Sequence, residues 1–227
     1  MAERPILFNG AMVRAILAGQ KTQTRRAVKL PDGFDFTGGL GRDRDDPVNW
    51  GGEDQDGMWW ALADGDGVDR VLPCPFGQTG DRLWVRETWA HVPSTAYRGS
   101  MGLQQTENPT SAGMSAVYAA DWERSAPGRW RPSIHMPRWA CRLVLDITDV
   151  RVERLQAISD ADCWAEGAIL EKRPDEFSST AVRGVDGCAH LTPRGAFMGL
   201  WLSTGGDWAA NPWVWVIGFK RVEAGHG

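Results

Sequence analysis

The most chemically loaded stretch of the chain is Lys21-Thr22-Gln23-Thr24-Arg25-Arg26, which sets an amine, two hydroxyls and two guanidiniums side by side. A lysine held away from water has its pKa lowered, because burial disfavours the ammonium form, and neighbouring arginines push the same way. Such an amine can accept the proton of a hydroxyl and make it a nucleophile. Lys21 and Thr24 are the candidates for those two roles, with Lys21 desolvated at the mouth of a barrel. An ordinary reading stands beside it, a solvated strand with Lys and Arg on its surface. Geometry restricts the catalytic reading: side chains alternate along a strand, so Lys21 and Thr24 meet only if the chain bends or is still leaving a helical turn at Lys21.

The elements around this cluster have to supply that bend. Pro5 to Phe8 reads as a short strand, and Asn9 to Ala18 as a helix with Met12, Ile16 and Leu17 at helical spacing, an Asn cap and Gly19 at its exit. The polar cluster follows as an exposed strand. Gly80-Asp81 turns into an alternating strand with Leu83, Val85 and Glu87 on one side and Trp84 and Arg86 on the other, at a central place in the sheet. Trp139 to Leu155 alternates through Leu143, Leu145, Ile147, Val150 and Val152 as one long strand or a pair. Ser159 with Asp162 begins a helix as a variant capping box, ending near Gly167. A second helix runs from Pro193 to Leu202, and Trp213 to Val222 is an apolar strand buried on both faces. Many strands, few helices and no βαβ alternation predict an α+β fold, a small mixed β-barrel with flanking helices. The 1–227 chain is read as a single domain with long loop insertions at about 31–75, 91–135 and 170–190. In the first of these, Met58-Trp59-Trp60-Ala61-Leu62 is the only piece expected to be structured; in the second, Ala116 to Ala120 is a candidate strand.

Composition narrows the classes. No apolar run is long enough for a membrane span, and the charged start offers no signal-peptide pattern, so a cytoplasmic protein is expected. Four cysteines without a C-x-x-C pair fit reduced thiols, and Cys188 with His190 offers too few ligands for zinc. The Asp64-Gly65-Asp66-Gly67 run would need an acidic calcium ligand where Pro75 stands, so no metal and no cofactor are expected. The usual hydrolase elbow, phosphate loop, zinc helix and dinucleotide fingerprint are missing. The net charge of -4 is unevenly spread. Residues 1–30 hold six cations against Glu3, and residues 32–70 hold eleven acids against three arginines. The total therefore does not oppose a nucleic-acid partner.

Taken in order, Leu17-Ala18-Gly19-Gln20-Lys21-Thr22-Gln23-Thr24-Arg25-Arg26, Gly80-Asp81-Arg82-Leu83-Trp84-Val85, the helix Ser159 to Glu166 and the strand Val214 to Lys220 resemble the ASCH family. Ile134 to Trp139 and Asn211 to Val216 look like the extended form found in phages and prophages, for which the cytoplasm would be the host's. The resemblance implies a PUA-like barrel with a cleft beside the first helix. In short bacterial members it implies hydrolysis of the acetyl amide of N4-acetylcytidine, with the family's Lys and Thr falling on Lys21 and Thr24 and its acid on Glu166, or on Asp162 one turn earlier. Thr24 would attack the acetyl carbonyl with Lys21 as base, Glu166 would handle the proton for the leaving amine, and backbone amides or Arg25 and Arg26 would steady the oxyanion.

The expected partner is thus a modified nucleoside, RNA or DNA. Arg25, Arg26, Arg86 and Trp139 are its candidate contacts, with Trp59 and Trp60 as further stacking surfaces. The alternative is a non-catalytic RNA- or DNA-binding module that recognises a base in the same cleft. A third reading is an interaction protein whose acidic segment 32–70 imitates nucleic acid.

Overall fold

The computed structural model describes residues 1–36, 51–54, 57–63, 69–97, 103–123, 127–171, 181–185 and 187–222. The first stretch forms β1 (Glu3–Leu7), α1 (Gly10–Leu17), β2 (Gln23–Ala27) and β3 (Asp35–Phe36). Then come β4 (Gly51–Asp54), β5 (Gly57–Ala63), β6 (Asp69–Pro73), β7 (Arg82–Arg86), β8 (Trp89–Pro93), β9 (Thr106–Glu107) and β10 (Met114–Tyr118). The remainder is β11 (Val144–Arg154), α2 (Asp160–Ala165), β12 (Ile169–Glu171), β13 (Ala181–Arg183), β14 (Ala189–His190), α3 (Pro193–Ser203) and β15 (Trp213–Arg221). Strands dominate and the helices lie outside them, so the fold is broadly α+β.

Five strands carry the frame, in the order β1-β7-β11-β15-β2. β1 and β7 are parallel, and the other pairs are antiparallel. None of the described sheets closes into a barrel. The two edges of the five-stranded sheet nevertheless approach each other: Arg26 of β2 donates to the Leu7 carbonyl of β1 at 2.6 Å, and its guanidinium lies 5.1 Å from the Phe8 ring centre. β15 reads as apolar because it is covered on both faces, with Val214, Trp215, Val216 and Ile217 all buried. Burying such side chains stabilises by roughly 1.5–3 kcal/mol each. In β11 the pairing register with β15 shifts between Ile147 and Asp149, a bulge at Thr148. Gly218 lies opposite, where a Cβ would stand 3.2 Å from the Thr148 hydroxyl.

The three stretches read as loop insertions hold more structure than their composition indicated. β3, β4, β5 and β6 form an antiparallel sheet, and Phe36, Trp60 and Leu62 are buried in the main core. Trp60 meets Trp215 edge-on at 4.7 Å between ring centres, which ties this sheet to the central strands. The Asp64 to Gly67 run lies outside the described residues, as does much of the acidic segment. β8, β9 and β10 make a second small sheet, and β12, β13 and β14 a third. Among the described residues no helix is long and apolar enough to cross a membrane.

Candidate functional site: a buried lysine–glutamate pair beside a cavity

Asn9 caps α1 by accepting from the Met12 amide at 2.9 Å, and Gly19 ends it with φ +72°. That left-handed turn costs glycine little, and it wraps the chain so that the amides of Gln20 and Lys21 both reach the Ala15 carbonyl, at 2.8 and 3.1 Å. Lys21 is therefore still leaving the helical turn, and β2 starts only at Gln23. The anticipated bend exists. Thr22 is then clamped from two sides, its amide on Ala165 at the end of α2 and its carbonyl accepting from Phe219 of β15, each at 2.8 Å.

α2 begins with the capping box expected at Ser159 and Asp162, and Glu166 is its C-terminal cap. Gly167 follows with φ +103°, and a Cβ there would stand 2.6 Å from Val185 and 3.3 Å from the Lys21 Cβ. Only glycine lets the end of α2 sit this close to Lys21. The Lys21 Nζ donates to the Glu166 carboxylate at 2.5 Å and to the Glu166 carbonyl at 3.0 Å. Both side chains are almost wholly enclosed, at 0% and 3% exposure. Burial pulls the Lys21 pKa down, Glu166 pulls it back up, and Arg26 and Arg25 push it down again; the net direction is down.

β2 is not the exposed strand its polarity predicts, since Gln23, Thr24 and Arg25 are all buried. Arg25 is buried here because partners await it. Arg25 contacts three carboxylates: Glu153 at 2.9 Å, Asp162 at 3.3 Å and Glu166 at 3.4 Å. Arg151 binds Glu153 and Asp162 from the far side, at 2.6 and 2.9 Å, closing a network across β2, β11 and α2. Burial opposes the charge on Asp162, yet Ser159, Gln23, Arg25 and Arg151 together outweigh it and hold its carboxyl at about 2. Of the two candidate acids, Glu166 touches Lys21 while Asp162 serves the cap and the arginines.

A cavity of about 260 Å³ opens against this network, lined on one side by Thr24, Arg25, Arg26 and Glu166 and on the other by Phe197, Leu200 and Trp201 of α3. The Thr24 hydroxyl makes no hydrogen bond among the described residues and so is available to a ligand there. The Trp201 indole N–H and the Arg25 Nε–H are buried donors with no partner among the described residues. Lys21 does not line the cavity; it stands behind Glu166, and no hydrogen bond joins it to Thr24. The contribution of α3 was not legible as chemistry. Its Phe197 and Trp201, four apart on a helix, read only as core.

The remaining candidates lie elsewhere. Arg86 donates to the Ile134 carbonyl and stacks over Trp84 at 5.4 Å, away from the cavity. Trp139 packs edge-on against Trp89 at 5.7 Å, with the His91 ring at 5.6 Å. Trp60 is core, and the Trp59 side chain lies outside the described residues. Cys188 is exposed, and among the described residues no three His, Cys, Asp or Glu are grouped to hold a metal ion. No protein-family model matches the chain, and no match was found among curated proteins or solved structures.

Proposed function

We propose that the chain is an extended relative of the ASCH family with a PUA-like core, and that it is an amidohydrolase acting on an acetylated cytosine nucleoside or a related modified base. The observation that carries the reading is the enclosed Lys21–Glu166 pair set against a cavity into which Thr24 brings an unengaged hydroxyl. The approach of the β1 and β2 edges through Arg26 supports the PUA-like core. A space of about 260 Å³ suits a base and its acetyl group, being just under the range of about 300–1,000 Å³ typical of larger ligands.

In this mechanism the Thr24 oxygen attacks the acetyl carbonyl carbon while its proton passes to the Lys21–Glu166 pair. The tetrahedral adduct collapses with cleavage of the C–N bond, and the amine departs with the proton that the pair returns. Water then hydrolyses the threonine ester to acetate and restores the hydroxyl. Trp201 and Arg26 supply donors for the oxyanion, whereas Arg25 is largely committed to carboxylates.

One observation favours the second reading, a base-binding module: Lys21 bonds Glu166 twice and Thr24 not at all. Incubating the protein with a panel of acylated nucleosides and following the products by mass spectrometry separates the two. Release of cytidine and acetate from N4-acetylcytidine is the expected result. Tight oligonucleotide binding with no turnover of any acylated nucleoside supports the module instead.

A further inference from the structure

A second cavity, of about 370 Å³, lies in the region of the β8-β9-β10 sheet and is lined by His91, Arg129, Arg131, Pro132 and His135. No carboxylate is among its described lining residues, which is unusual in a chain with more acids than bases. Arg129 and Arg131 also differ from most of the described arginines. Arg25, Arg82, Arg138, Arg142 and Arg151 hold carboxylates, while Arg14, Arg26 and Arg86 donate to backbone carbonyls. Arg129 and Arg131 make neither an ion pair nor a side-chain hydrogen bond among the described residues. Each guanidinium thus keeps five N–H donors for a ligand.

Arg131 is nonetheless held in place. Its backbone exchanges both hydrogen bonds with Trp89, at 2.8 and 3.2 Å, and its guanidinium lies over the Trp89 ring at 5.2 Å. His91 is fixed by β8, with its Nε2 3.1 Å from the Asn108 amide nitrogen and its ring beside Trp139. Burial and then the Arg131 charge lower the His91 pKa, so positive charge here is poorly compensated. Like charges gathered in a concave site attract an anion with several acceptor oxygens.

We infer that the cavity formed by His91, Arg129, Arg131 and His135 binds a phosphate ester. Two guanidiniums and two imidazoles present more donors than the roughly four lone pairs of a carboxylate accept, whereas a tetrahedral phosphate takes bonds from several directions. Half-buried Trp139 stands beside the His91 ring, where a base attached to that phosphate can stack. The ester is either the terminal phosphate of a nucleotide or a phosphodiester of a single strand. The site is separate from the reaction proposed at Thr24 and stands whether or not that reaction occurs.

Calorimetric titration of the full chain with inorganic phosphate, cytidine, cytidine 5′-monophosphate and a single-stranded oligonucleotide lacking terminal phosphates tests the assignment. The phosphate-bearing probes are expected to bind and cytidine to bind at least tenfold more weakly than its monophosphate at this site. Arg129→Gln with Arg131→Gln should weaken phosphate-ester binding at least tenfold. Because Arg131 also stacks on Trp89, exposed Arg129→Gln alone is the control for folding and should weaken binding at least threefold. Tighter binding of the monophosphate identifies a terminal phosphate. Tighter binding of the oligonucleotide, with a log–log salt slope that falls by about 0.7 for each arginine removed, identifies the backbone. Phosphate esters that bind no better than cytidine, or variants that bind them as the wild type does, overturn the assignment.

Discussion

Two buried ion clusters in this molecule use similar groups to opposite ends. In one, Arg142 grips Glu87 with both arms of its fork, at 2.8 and 2.9 Å, and also holds Asp121. Tyr118 stacks on the guanidinium at 4.1 Å, and neither Glu87 nor Arg142 lines either cavity described above. Burial pushes the Glu87 pKa up and Arg142 opposes it. In the other cluster a lysine replaces the arginine, its glutamate borders a cavity, and an unengaged threonine hydroxyl lies on the same wall. Arginine keeps its proton, while a buried lysine can give its proton up. The first arrangement locks a fold together; the second can pass a proton.

The sharpest way to break this comparison is Thr24→Ala. Loss of the nucleophile should lower turnover of N4-acetylcytidine by about 10³-fold or more, measured as the initial rate of cytidine release, with a much smaller change in ligand affinity. A rate equal to the wild type removes Thr24 from the mechanism. Next is Glu87→Ala, which leaves the buried Arg142 guanidinium with Asp121 as its remaining carboxylate; denaturant unfolding should show a loss of about 3 kcal/mol, the lower end for a broken buried pair, and the folded fraction should turn over normally. A loss under 1 kcal/mol would mean that the enclosed cluster is not what stabilises this region.

A smaller effect on stability is expected from Lys21→Met with Glu166→Leu. Replacing both members of a buried pair by apolar groups is often neutral, so unfolding should change by about 1 kcal/mol or less while turnover disappears. A loss as large as that of Glu87→Ala would assign the Lys21 pair a structural role instead. The smallest effect concerns Asp162. Its pKa is lowered on folding, from 3.8 to about 2, so its contribution is present above pH 3.8 and fades as the pH falls toward 2. Asp162→Asn should remove that contribution, so that the melting temperature falls modestly at neutral pH and its decline over that acid window flattens. An unchanged acid limb would count against the network around Asp162.

Much of the frame could be read from the chain because local rules governed it. Asn9 and Gly19 bound α1, Ser159 and Asp162 make their capping box, and the apolar run after Trp213 is the doubly covered strand. Lys21, Thr24 and Glu166 were legible as candidates, and the turn at Gly19 supplies the bend that Lys21 needed. Two kinds of feature were not. The burial of Arg25 depends on carboxylates more than a hundred residues away, which no local pattern encodes. The sheet of β3 to β6 was hidden in Gly- and Asp-rich sequence because its few buried residues, Phe36, Trp60 and Leu62, take their cover from another sheet. The wall contributed by α3 was hidden for the same reason.

The bulge at Thr148 acts as a phase switch. Before it, the odd-numbered residues Leu145 and Ile147 face the core; after it, the even-numbered Val150 and Val152 do. The extra residue therefore also decides that Arg151 and Glu153 fall on the side where Arg25 and Asp162 wait. In a chain shorter by that one residue, every side chain from Asp149 to Arg154 would change sides, with the valines turned to water and Arg151 and Glu153 turned into the apolar layer. The charge surroundings of Arg25 are thus set by a count of residues on a distant strand. Length, at this point of the chain, is as specific an instruction as any side chain.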